Sequence, residues 1–125
     1  MKKFLLSLAA LCCAVTINAT DLWTGNHTVT WETPLFIEAS NFADTNVGDQ
    51  LTLNFVANGE FGDVIELKSN GKKLPGTCYH PFYLDHTKYE VFVTEAMLAQ
   101  LKANGLEICG NLFNATKVEV NSVGF

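Results

Sequence analysis

Apolar residues recur at every second position in short runs along this chain, and turn residues cut each run off. Over Gln50–Ala57, Leu51, Leu53 and Phe55 alternate with Thr52, Asn54 and Val56. A period of two sends successive side chains to opposite faces, so the run predicts a strand with one face in a core and the other free to meet solvent. Val47-Gly48-Asp49 before it and Asn58-Gly59 after it carry turn chemistry. The rhythm returns over residues 64–68, closed by Ser69-Asn70-Gly71, and again at Tyr89, Val91 and Val93. It recurs over residues 106–110, with Leu106 and Ile108 inward, and over 116–120, where Val118 and Val120 alternate with Lys117 and Glu119. Residues 35–39 are a further strand candidate.

The period changes once. Residues 94–104 read as a helix, with Met97, Leu98 and Leu101 as its apolar stripe. Thr94 is placed to cap it, Glu95 complements the positive helix end, and Gly105 supplies the stop. Short strands at this spacing, with one short helix, predict an all-β chain folded as an antiparallel β-sandwich, for which jelly-roll or Greek-key winding is typical. At 125 residues the chain has room for one domain, and its 48% hydrophobic and 17% charged content is that of a globular protein.

Residues 1–19 have the build of an export leader. Lys2 and Lys3 precede an apolar run broken only by Ser7, and Ala19 is a small residue at a tolerable cleavage site. The run is too short for a permanent membrane span, and no other segment is apolar enough to be one. A lipid on Cys12 or Cys13 is disfavoured, because neither has the small preceding residue that a lipid box requires. The expected mature module, residues 20–125, is therefore secreted, periplasmic or on the cell surface. It carries six lysines, no arginine and thirteen acids, a net charge of −7. That excludes a nucleic-acid role, which needs cations against phosphates. Arginine is the usual clamp for carboxylate and phosphate, so a neutral ligand fits this composition better than an acidic polymer.

Four stretches together carry a resemblance: Leu22-Trp23-Thr24-Gly25, residues 47–53 (VGDQLTL), residues 97–110 (MLAQLKANGLEICG) and residues 115–120 (ATKVEV). They resemble small secreted modules of Bacteroidetes-type bacteria, which are similar to galactose-binding-like jelly-rolls and carbohydrate-binding modules. The resemblance spans nearly the whole module and implies a galactose-binding-like sandwich without catalysis. Its implied partner is a glycan. The alternative is an interaction or assembly module contacting a cell-surface protein.

Sugar recognition needs flat rings for pyranose faces and amides or carboxylates for hydroxyls. Trp31, Tyr79, Phe82 and Tyr83 are the ring candidates, with Asn26, His27 and His80 as polar partners. Tyr79, Phe82 and Tyr83 cluster around Pro81 on an expected loop, a frequent carrier of binding. Trp23 reads as core, and Asn111 and Asn114 are further amides. Cys78 and Cys109 are candidates for one disulfide in an oxidising compartment, the other reading being two separate thiols. Cys109 falls at an outward-parity position. Cys78, His80, Asp85 and His86 match no zinc spacing, and no cofactor is expected. Asp44, Asp49 and Asp63 are either a structural calcium set or turn residues. No nucleophile elbow, phosphate loop or dinucleotide fingerprint is present, so an enzyme is not expected.

Overall fold

The computed structural model describes residues 16–58 and 63–124. Most of the expected leader therefore lies outside the described residues. The described chain forms nine strands: β1 (Thr16–Val29), β2 (Leu35–Ile37), β3 (Gln50–Ala57), β4 (Val64–Ser69), β5 (Lys72–Lys73), β6 (His80–Pro81), β7 (Lys88–Phe92), β8 (Leu106–Asn111) and β9 (Phe113–Gly124). One α-helix, α1 (Glu95–Asn104), joins β7 to β8, and a 3-10 turn (Ala39–Phe42) joins β2 to β3.

The strands make two antiparallel sheets. The first has the order β1-β9-β3-β7, and the second β2-β8-β4-β5, with β6 also paired to β4. Leaving the two-residue β6 aside, β1 pairs with β9, β2 with β8, β3 with β7 and β4 with β5. First meets last at every level, as in one long hairpin. Rolling that hairpin up adds the β9–β3 and β8–β4 ladders. This winding is the jelly-roll, and the sandwich expected from the alternation is present.

The inward residues are those the rhythm selects. Leu51, Leu53 and Phe55 of β3 meet Ile65 and Leu67 of β4, Leu106 and Ile108 of β8, and Val118 and Val120 of β9 in one buried cluster. Met97 and Leu101 of α1 join it, and Trp23 packs against it. Thr94 caps the helix as expected, its Oγ1 accepting from the Met97 N–H at 3.2 Å. Gly105 ends the helix at φ +83°, where an added Cβ would lie 2.5 Å from the Ile37 carbonyl oxygen. Asn70 and Gly71 both have positive φ in the two-residue β4–β5 turn, the geometry a tight hairpin requires.

Three boundaries differ most from the alternation. The strand expected over 116–120 is the middle of the longer β9. β2 stops at Ile37; Glu38 is the N-cap and Ala39 the first residue of the 3-10 turn. β1 begins at Thr16, so its ladder with β9 takes in four residues assigned to the leader, Thr16 through Ala19. Polar and apolar residues are mixed along β1, and bulges after Asp21 and Thr24 break any period of two.

Candidate functional site

Residues directly opposite across a ladder share a face. Phe36 of β2 stands opposite Glu107 of β8, Glu107 opposite Lys68 of β4, and Lys68 opposite Lys73 of β5. This row crosses the outer face of the second sheet. Phe36, 55% exposed, sits between the buried Leu35 and Ile37. Two residues along, Cys109 of β8 stands opposite Glu66 of β4 on the same face. Cys109 thus has the outward parity expected of it, yet it is 4% exposed and Glu66 8%.

Two aromatic side chains come from segments that flank this sheet. Trp31 comes from the β1–β2 turn, at the β2 edge of the sheet. Tyr79 comes from the segment entering β6, on the other side of β4. Their ring centroids lie 6.4 Å apart with planes at 83°, so they meet edge to face. Trp31 remains 44% and Tyr79 62% exposed, which leaves ring surface open to a ligand. Lys68 Nζ lies 3.8 Å from Glu66 Oε1. Burial pushes the Cys109 thiol up to about 11, reinforced by the Glu107 carboxylate, with Lys68 opposing and Glu66 adding to the rise. Cys109 is therefore a neutral, unreactive wall at ordinary pH.

The β1–β2 turn that presents Trp31 is tied internally. His27 Nε2 lies 3.0 Å from the Thr33 carbonyl oxygen, and the Thr30 and Thr33 hydroxyls are 2.7 Å apart. Thr33 Oγ1 donates to the Thr28 carbonyl oxygen and accepts from the Thr30 N–H, both at 3.2 Å. His27 thus positions the turn. Asn26 is exposed in the second β1 bulge.

His80, next to Tyr79, faces the opposite way. It pairs with the buried Ile65, and its ring stacks on Tyr89 of β7 at 4.1 Å with planes 9° apart. The stack joins an edge of the second sheet to an edge of the first. Burial lowers the His80 pKa, with His86 adding to the drop. Burial also raises the Tyr89 pKa, with Cys78 adding to the rise.

Several expected site residues do other work. Phe82 is a core residue, not a ligand contact. It is 2% exposed and packs edge to face on Phe55 at 5.1 Å and Phe113 at 5.8 Å. The Phe82 N–H bonds the Asp63 carbonyl at 2.7 Å, which turns the ring inward as β6 ends. Tyr83 is exposed, but its ring partner is His86 at 5.5 Å rather than the Trp31–Tyr79 pair. The Cys78–Cys109 disulfide does not form: both thiols are free, Cys78 exposed and Cys109 buried on the sheet face. The three acids weighed for calcium do not converge. Asp44 and Asp49 line one cavity of about 110 Å³ near β1 and β9, whereas Asp63 accepts from Asn111 Nδ2 at 2.8 Å. Asp49 also accepts from the Asn46 N–H at 2.9 Å, the turn role of that side chain. Asn114 accepts from Thr28 Oγ1 at 2.7 Å and from Asn58 Nδ2 at 3.3 Å.

Phe36, Glu66, Lys68 and Glu107, which share this face, were not singled out in the sequence. Their signal was parity. Each alternates with buried neighbours, and all four fall on the face opposite Leu35, Ile65, Leu67 and Ile108.

The fold and this face define a jelly-roll β-sandwich with an aromatic pair and a charged row on one outer surface. Neither a family model nor a curated protein matches the chain. Among solved structures it is similar to SGBP-B of the Bacteroides ovatus mixed-linkage glucan utilization locus, determined in complex with a mixed-linkage heptasaccharide. The TM-score is 0.69 at 22% identity, over 82% of this chain and 28% of that one. The likeness establishes the fold, and this chain spans well under a third of its neighbour's length.

Proposed function

We propose that this chain is a secreted or cell-surface, non-catalytic module that binds carbohydrate on the outer face of its second sheet. The Trp31–Tyr79 pair carries the reading. Two accessible rings at right angles offer a flat platform and an upright wall, a shape suited to the apolar face and rim of a pyranose. Glu107, Lys68 and the edge of Glu66 supply acceptors and donors for hydroxyls beside the rings. Phe36 extends the apolar surface at the β2 edge. The rings stand on ladder-paired or hydrogen-bonded segments, so little ordering opposes binding. The glycan-bound state of the similar solved structure supports the same reading. No helix among the described residues is long and apolar enough to cross a membrane.

The test is affinity electrophoresis and calorimetry across plant and host polysaccharides, with Trp31→Ala and Tyr79→Ala compared to the unaltered chain. Each substitution is expected to weaken binding about tenfold or more while leaving the melting curve nearly unchanged. Stacking on a neutral sugar is insensitive to salt. A folded protein that binds none of the polymers moves the assignment to a protein partner, and pull-down from the secreting cell then identifies it.

A further inference from the structure

Beyond Lys68, the tip of the β4–β5 hairpin carries a second feature that ring stacking does not use; Lys73 stands opposite Lys68 on the outer face and Lys72 opposite Ser69 on the other. Between the β4–β5 hairpin and α1 lies an open cavity of about 320 Å³, whose lining includes Asn70, Lys72, Lys73, Gln100 and Asn104. No acid lines it. This stands out in a chain whose net charge is −5.

The two lysines are not committed elsewhere. Among the described residues, Lys68 pairs with Glu66, Lys117 with Asp21 and Glu119, and Lys102 donates to the Ala43 carbonyl. Lys72 and Lys73 have no such partner among the described residues. Nor do they satisfy the helix end beside them. The Leu101 carbonyl accepts from the Gly105 N–H at 2.9 Å, and Ser69 Oγ donates to the Gly105 carbonyl at 2.6 Å. Asn104 Nδ2 donates to Gln100 Oε1 at 3.1 Å, which orients both amides and leaves the Gln100 N–H₂ and the Asn104 carbonyl for a ligand. The tight Asn70-Gly71 turn holds the lysines on a short, rigid hairpin.

We propose that this cavity is a subsite for an anionic substituent of a sugar, a carboxylate or a sulfate, held by Lys72 and Lys73 with the amides engaging neighbouring hydroxyls. The inference rests on the glycan reading above and deepens it. On the outer face, Lys68 is two positions along β4 from Glu66, or roughly 7 Å, and Lys73 stands directly opposite Lys68. One short oligosaccharide spans the two features, its neutral unit against Trp31 and Tyr79 and its charged unit at the hairpin. The negative balance and the absence of arginine, read as favouring a neutral ligand, average over a surface on which Lys68, Lys72 and Lys73 are gathered at one end of one sheet.

The test is calorimetry with trigalacturonate, its fully methyl-esterified form and a sulfated galactan trisaccharide. The acid is expected to bind about tenfold more tightly than the ester at low salt. That advantage shrinks as salt rises toward about 0.3 M. The double variant K72Q/K73Q, altered only at exposed positions, abolishes it. A matching gain for the sulfated sugar assigns the subsite to anions in general, and a gain for the uronate alone assigns it to carboxylates. Equal binding of acid and ester, an acid preference that survives K72Q/K73Q, or no binding of any of the three overturns the inference. Trp31→Ala separates the two readings. If this variant binds the ester as tightly as the unaltered chain, the ring pair is wrong whatever the lysines do.

Discussion

The His80 ring lies flat on Tyr89, 4.1 Å away, and this contact joins β6 of one sheet to β7 of the other. Cys78 and His86 are the titratable neighbours that act on the pair. The contact favours neutral imidazole, since both burial and His86 lower the His80 pKa below its ordinary 6.5. The unfolded chain therefore binds the proton more readily than the folded one. Stability from this group is complete above pH 6.5 and falls as the pH drops from there through the lowered folded value. The melting temperature is expected to hold above about pH 6.5 and to decline as the pH falls below it. His80→Phe keeps a flat ring on Tyr89 and binds no proton, so its decline should be shallower. Equal slopes in the two proteins would remove His80 as the cause.

The free thiols predict unequal reactivity. In a chain starting at Thr16, iodoacetamide at pH 8 should label Cys78 quickly. Cys109 should stay unlabelled until the protein unfolds, because it is buried and its pKa stands at about 11. Peptide mass mapping of native and denatured samples reads this directly. Recovery of a Cys78–Cys109 peptide from the native protein would contradict the arrangement described.

Neighbouring aromatics on one loop should differ sharply in their effect on folding. Phe82→Ala opens a hole between Phe55 and Phe113 and is expected to cost about 3–5 kcal/mol. Tyr83→Ala removes an exposed ring whose aromatic partner is His86, and should stay within about 0.5 kcal/mol. Urea unfolding followed by tryptophan fluorescence compares the two. Tyr83→Ala should also weaken glycan binding less than Tyr79→Ala.

The start of β1 predicts where truncation begins to hurt. A chain starting at Thr20 loses the ladder positions from Thr16–Gly124 to Ala19–Asn121. Relative to one starting at Thr16, it should be less stable by about 1–2 kcal/mol and melt about 5–10 °C lower. Identical melting curves would mean that these pairs contribute nothing to stability.

Much of the fold was readable as local pattern. Gln50–Ala57 is a strand at the bounds its alternation predicts, and Thr94 and Gly105 bracket the helix as their chemistry requires. Parity is a property of neighbours in the chain, so Leu51, Leu53 and Phe55 could be assigned inward without knowing what they meet. The β1 ladder was not readable, because its bulges break the period. Its strand character comes from pairing with β9 at the far end of the chain.

The candidate site divides along the same line. Trp31 and Tyr79 could be singled out as rings suited to a sugar, but 48 positions separate them. Only the jelly-roll winding brings the β1–β2 turn and the β6 entry to the same face, where the rings meet at 6.4 Å. Phe82 and Tyr83 look alike in the sequence, both in one polar-aromatic stretch. The pairing of Val64 with Pro81 and the bond from Phe82 to Asp63 turn one ring into the core and leave the next outside. Alternation and caps act over a few residues, so composition and order alone determined which segments become strands and which faces turn inward. The meeting of Trp31 with Tyr79, the separation of Cys78 from Cys109, and the placing of Lys72 and Lys73 beside α1 all depend on distant segments. They exist only once two sheets have closed on each other, and the tertiary structure alone decided them.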